Sequence, residues 1–148
     1  MRNKEPKAIE ILIADDDAED RMLIRDALNE NRLKNGLQFV EDGEQLLDYL
    51  HNKGKFSDKE KYPRPGIILL DLNMPKKDGR EALKEIKQDP TLRTIPIVIL
   101  TTSKAEEDIL KSYNLGVSSF ITKPVTFEGL VEVMKTLNKY WFEIVELP

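Results

Sequence analysis

Four aspartates, two threonines and a lysine draw attention because they stand at the ends of short apolar runs. Asp15, Asp16 and Asp17 follow Ile9 to Ala14, and Asp71 follows Ile67 to Leu70. Thr101 and Thr102 follow Ile97 to Leu100, and Lys123 follows Ser118 to Thr122. Clustered carboxylates repel one another, so near neutral pH they either raise a pKa or recruit a cation. Oxygen ligands without His or Cys select a hard cation, and a few such ligands completed by water suit Mg²⁺. A cation there would offset the repulsion and could also bind a phosphoryl oxygen. Asp71 could then act as a nucleophile and form an acyl phosphate. Lys123 offers a point charge for one phosphate oxygen, and the Thr101 hydroxyl donates to another. Each residue alone says little. An Asp at a strand end is commonly a helix cap or turn residue, and a Thr there is simply a good β-former. The set, in order along four strand ends, is far more specific than its parts.

The elements that must position these residues are legible in the periodicity. The five runs Ile9 to Ala14, Leu37 to Val40, Ile67 to Leu70, Ile97 to Leu100 and Ser118 to Thr122 are mostly Ile, Val and Leu without strict alternation. That pattern predicts strands buried on both faces of a parallel sheet. Helical period lies between them, over Ala18 to Leu33 and Gly43 to His51, then around Ala82, Leu83 and Ile86 before Pro90. Asp42 with Gln45, and Ser103 with Glu106, are spaced as helix-opening caps, and Gly116 is placed to end the fourth helix. Phe127, Leu130, Val131, Met134, Leu137 and Trp141 make the apolar stripe of a fifth. Alternating strands and helices predict an open α/β sheet with right-handed crossovers. Ligands in such folds sit beyond the carboxyl ends of the strands, where the strand order reverses.

Composition narrows the function classes. The chain has 148 residues, long enough to bury a core without disulfide or structural metal. It has no cysteine, which excludes thiolate ligands and cysteine catalysis, and His51 is its single histidine. A net charge of −4 argues against binding nucleic acid or an anionic membrane by bulk charge. The longest apolar runs fall far short of a membrane span, and the first residues lack the apolar core of a secretory signal. These features predict one cytoplasmic domain over 1–148, with its core at about 9–141 and a short tail at 142–148. The polar stretch 53–66 is expected to be a loop insertion, longer than a usual helix-to-strand connection.

At the strand ends the sequence resembles the receiver domains of two-component response regulators. The matching motifs are Ile11 to Asp17, Leu70 to Gly79, Leu100 to Thr102 and Phe120 to Pro124. The resemblance implies a flavodoxin-like, doubly wound five-stranded parallel sheet of order 2-1-3-4-5. It implies that Asp71 takes a phosphoryl group from a histidine kinase, and that Asp16 binds Mg²⁺ or Mn²⁺ directly. Asp15 would do so directly or through water, and Asp71 and the Asn73 carbonyl would complete the protein ligands. Lys123 would contact the phosphoryl group, with a cis peptide joining it to Pro124. Thr101 would swing toward the phosphate and Phe120 would follow it inward. Phe120 keeps the ring common at that position but lacks the hydroxyl often found there. Asp17 falls outside the metal pair and is expected to cap the first helix. Asn73 and Ser103 occupy the positions that tune hydrolysis, and Ser103 is short and engaged as a cap, so slow self-dephosphorylation is expected.

The insertion, the Leu-Thr-Thr-Ser end of the fourth strand and Tyr140-Trp141-Phe142 resemble a narrower group, the small regulators paired with phytochrome-type kinases. That resemblance implies a homodimer through helix 4, strand 5 and helix 5, and Tyr113, Trp141 and Phe142 are candidate anchors for a partner or a second subunit. It implies an unknown downstream protein partner, and no enzymatic activity beyond the protein's own phosphorylation and dephosphorylation. Other readings remain open at this point. The chain could pass phosphate onward in a relay, or serve as a receiver-like scaffold that is never phosphorylated. The Asp15-Asp16-Asp17 run also resembles the loop of haloacid-dehalogenase-type phosphatases, although Glu19 stands where those enzymes carry Thr or Val. A calcium loop is rejected because Gly is missing from the required turn.

Overall fold

The computed structural model describes residues 10–30, 36–72, 74, 76–77, 79–101, 103–111, 115–117, 119–123 and 126–144. The order of elements is β1 (Ile11–Ala14), α1 (Ala18–Glu30), β2 (Leu37–Val40), α2 (Gly43–Leu50), β3 (Ile67–Asp71), α3 (Gly79–Gln88), β4 (Ile97–Thr101), α4 (Lys104–Lys111), β5 (Ser119–Thr122) and α5 (Phe127–Ile144). All five strands are parallel and ordered β2-β1-β3-β4-β5, as the resemblance implies. Two boundaries at the site differ from the sequence reading. Asp71 and Thr101 are the last residues of β3 and β4 rather than the first beyond them. Their backbones are therefore held in the sheet register, which fixes where their side chains point.

The unbroken apolar runs are explained by two cores, one on each face. Leu12 and Ala14, Ile68 and Leu70, and Ile97 and Ile99 face a core built with Leu46 and Leu47 of α2, Ala82 and Ile86 of α3, and Leu110 of α4. Ile11 and Ile13, Ile67 and Leu69, and Val98 and Leu100 face the other, with Ile24 and Ala27 of α1 and Leu130 and Met134 of α5. Successive side chains on a strand point to opposite faces. Asp71 thus continues the α1/α5 side of its strand, whereas Thr101 continues the α2–α4 side.

Helix entry is governed by caps. Asp17 Oδ1 accepts from the Glu19 and Asp20 amides at 2.8 and 3.3 Å, so Asp17 opens α1. Asp42 accepts from Gln45 N at 2.8 Å, while the Gln45 side chain accepts from Glu41 N at 3.0 Å. Ser103 Oγ accepts from Glu106 N at 3.1 Å.

The 53–66 insertion is more ordered than a polar loop. Gly54–Phe56 forms a 3₁₀ turn, and Phe56 is buried. The Tyr49, Phe56 and Tyr62 rings form a triad with centroids 5.1 to 5.7 Å apart. Asn52, in the left-handed region with φ of 52°, donates from its amide to the Phe56 and Tyr62 carbonyls. Burial holds the Tyr49 phenol protonated well above its usual range, and it donates to the Pro63 carbonyl at 2.9 Å.

Candidate functional site

The site lies where the strand order reverses, beyond the carboxyl ends of β1 and β3. Asp15, the first residue after β1, is fully buried. Its amide bonds Val40 O at 3.1 Å, and its Oδ1 accepts from Asp17 N at 3.0 Å. Asp16 is exposed beside it. Asp71 is buried at the end of β3. The turn that follows is closed by Gly79 N donating to Leu72 O at 3.0 Å. Gly79 is required there by close approach, since a Cβ would lie 2.5 Å from Leu72 Cα and 2.7 Å from Asp71 O.

Lys123 gathers these groups. Its Nζ donates to Asp15 Oδ2 at 2.7 Å, to Asp20 Oδ2 at 2.8 Å and to Asp71 Oδ2 at 3.4 Å. Its backbone amide donates to Thr101 O at 2.9 Å, which anchors the end of β5 to the end of β4. Burial pushes the Asp15 carboxyl above the ordinary aspartate range, against the opposing pull of Lys123 and the Asp17 amide. Burial acts to lower the Lys123 pKa, but hydrogen bonds to Asp15 and Asp20 and the charges of Asp15 and Asp71 outweigh it, holding the ammonium above its usual value. The Asp15 shift is thus set first by burial, and the Lys123 shift by the several carboxylates that share its single ammonium.

Asp15, Asp16 and Asp71 each place a carboxylate oxygen within 4.8 Å of the others. An all-oxygen donor set carrying more negative charge than Lys123 offsets suits a hard divalent cation such as Mg²⁺ or Mn²⁺. The nearby Arg21 donates to the Asp15 carbonyl at 2.8 Å, but its charge is paired with Glu41 at 3.2 Å.

A receiver-domain model matches residues 11–135. The chain belongs to the response regulator receiver domain family. It is 41% identical over 138 residues to the response regulator Rcp1 of Synechocystis, spanning 93% of this chain and 92% of that protein. The crystal structure of the Mn²⁺-bound form of Rcp1 superposes with a TM-score of 0.79 at 40% identity, covering 95% and 99% of the two chains. That of the phosphorylated cyanobacterial phytochrome response regulator RcpA gives 0.81 at 40% identity, covering 92% and 95%. The receiver is thus similar over most of its length to phytochrome-associated regulators. Among the described residues, no helix is long and apolar enough to cross a membrane.

Of the residues named from sequence, Asp15, Asp16, Asp71 and Lys123 meet in one pocket. Thr101 is buried next to it but turned the other way, toward Thr122. Phe120 is half-buried and packs against the α2–α4 core. Ser103 caps α4. Asn73, Pro124 and Tyr113 lie outside the described residues, as do the side chains of Trp141 and Phe142. Asp20 was missed. It stands four residues after Asp16, one helical turn on, and that spacing was the available signal.

Proposed function

We propose that this receiver accepts a phosphoryl group on Asp71 from a histidine kinase, of the phytochrome type by analogy with RcpA, in the cytoplasm. The observation that carries the reading is Lys123 bridging Asp15 and Asp71 beside the exposed Asp16. An Asp71 carboxylate oxygen attacks the phosphorus of a phosphohistidine; the new O–P bond forms as the P–N bond breaks, and the departing imidazole nitrogen takes up a proton. Asp15, Asp16, Asp71 and the Asn73 carbonyl would hold Mg²⁺ or Mn²⁺, which supplies charge neutralisation for the phosphoryl oxygens. Lys123 exchanges a carboxylate partner for a phosphoryl oxygen, and the Thr101 hydroxyl donates to another. The phosphoryl group carries about −1.5 to −2 charge where the Asp71 carboxylate carried −1, so the pocket gains about −0.5 to −1 together with new acceptor oxygens. That draws Lys123 and Thr101 inward, and Phe120 follows.

The signal then leaves by protein contact, through a homodimer formed by α4, β5 and α5 and through a downstream protein. Asn73 and Ser103 set the lifetime of the phosphate. With Ser103 committed to the α4 cap, hydrolysis is slow. Acetyl phosphate with Mg²⁺ is expected to label the parent and not Asp71→Asn, with the label persisting well beyond seconds. No labelling of the parent would favour an unphosphorylated scaffold. Delivery of the label to a histidine phosphotransferase would make the protein a relay intermediate.

A further inference from the structure

The face of β4 and β5 turned toward α4 carries a second polar chain. Thr101 and Thr122 are register partners across the two strands. Thr101 Oγ1 lies 3.2 Å from Thr122 Oγ1 and 3.4 Å from the Ile121 carbonyl oxygen. Thr122 Oγ1 lies 3.3 Å from Glu107 Oε1 on α4. Glu107 is only 6% exposed. Its other oxygen is held by the ammonium groups of Lys104 and, at 3.1 Å, Lys111.

The direction of these hydrogen bonds is dictated by chemistry. Between two lysines Glu107 is ionised, and an ionised carboxylate only accepts. The Thr122 proton therefore goes to Glu107, leaving Thr122 to accept from Thr101. A hydroxyl has one proton to give. That of Thr101 is consequently directed toward β5 and α4, whereas Asp71 lies on β3, the neighbour on the other side of β4.

We propose that Thr122 and Glu107 are positioning residues that hold the Thr101 hydroxyl turned from the Asp71 pocket, and so set how readily it serves a phosphoryl group there. This rests on the phospho-acceptor reading of Asp71. A phosphoryl oxygen on Asp71 competes with Thr122 for the Thr101 proton. When it wins, the chain parts between Thr101 and Thr122, while Glu107 keeps Thr122 and both lysines. The α4 side thereby opposes capture through two hydroxyls, in addition to any movement of Phe120.

The test is the affinity for beryllofluoride with Mg²⁺, a phosphoryl mimic, measured by titration calorimetry on the full chain. Thr122→Val keeps the shape and deletes the hydroxyl; freeing Thr101 of one neutral hydrogen bond is expected to tighten binding about five-fold. Glu107→Gln is expected to tighten it as well. With the lysines on its carbonyl, the Gln amide donates to Thr122, which reverses the chain and releases the Thr101 proton. The double variant is expected to bind no tighter than Thr122→Val alone, because both changes cut one chain. Thr122→Ser keeps the hydroxyl and is expected to match the parent. A residue with only a structural role would leave affinity unchanged or weaken it. Parent affinity in well-folded Thr122→Val, or in Glu107→Gln should the former not fold, overturns the proposal. Additive effects in the double variant do the same. If the parent itself binds no beryllofluoride, the phospho-acceptor reading fails and this inference falls with it.

Discussion

Lys123 is one ammonium among the carboxylates of Asp15, Asp20 and Asp71, and that arithmetic makes it both a stabiliser and a competitor. Removing it leaves Asp15 fully buried beside like charges. Loss of one partner of a buried pair costs about 3 kcal/mol at the low end of the usual range, which suits a lysine partly reached by solvent. Lys123→Met is therefore expected to lower the melting temperature in metal-free buffer. A divalent cation supplies the missing charge and binds only the folded cluster, so millimolar Mg²⁺ is expected to restore more stability to the variant than to the parent. Thermal unfolding with and without Mg²⁺ measures this, and equal Mg²⁺ increments in both proteins would contradict it. Glu107 carries the opposite sign of linkage. Hydrogen bonds from Lys104 and then Lys111 hold its carboxyl below the usual glutamate value of 4.5. A lowered folded pKa contributes stability above the unfolded value and loses it as pH falls through the folded one. The stability gap between parent and Glu107→Gln is thus expected to be widest near neutral pH and to close as pH falls through the lowered folded value; a gap independent of pH would count against it. Asp15, Asp71, Thr101 and Lys123 were legible in the sequence because polar residues at the ends of apolar runs stand out. Thr122 and Glu107 were not, and Asp20 offered only its spacing from Asp16. An acid in a first helical turn reads as a dipole partner, a Thr in a strand as a β-former, and a Glu among lysines on a helix as a solvated face.

At the scale of elements, strands and helices were recoverable because β1, β3 and β4 carry unbroken apolar runs, β2 and β5 are short runs of β-forming residues, and each helix has a stripe or a cap. Ends were recoverable only to a residue or so. Nothing in the sequence distinguishes an Asp that closes a strand from one that follows it, and only the register places Asp71 opposite Leu100. The 53–66 insertion was the harder case. Its lysines and prolines mask two aromatics spaced six apart, and period-based reading has no signal for a ring cluster closed by Tyr49 from the preceding helix. Structurally the cluster is an extension of the α2–α3 core. Phe56→Ala is accordingly expected to destabilise the protein by about 3–5 kcal/mol, as for a buried aromatic truncated to Ala. The segment enters β3 at its amino end, opposite Asp71, so Mg²⁺-dependent labelling by acetyl phosphate is expected to survive in the folded fraction. Chemical denaturation together with labelling separates the two, and a cost near zero would mean that the triad is not a packed unit.

For the molecule as a whole, the question is how a change at Asp71 becomes visible to another protein. β5 is an edge strand, less buried than β1, β3 or β4. Beside it α4 exposes Ile109, 58% accessible, next to the buried Leu110. On the proposed reading, phosphoryl capture at Asp71 would pull on this same edge from both sides, through Lys123 at the end of β5 and through Thr101 at the end of β4. Edges of this kind are prone to pair with another chain, and a two-fold interface uses the same patch on both copies. Any charge placed there is therefore presented twice. Ile109→Lys sets two ammonium groups into the one interface, yet sits remote from the carboxylate pocket and leaves α4 with a good helix former. Beryllofluoride with Mg²⁺ is expected to shift the parent toward a dimer in sedimentation velocity, while Ile109→Lys stays monomeric and still labels with acetyl phosphate. If the variant dimerises as the parent does, the α4–β5–α5 face is not the contact, and the output of the phosphorylated pocket must be sought on another surface.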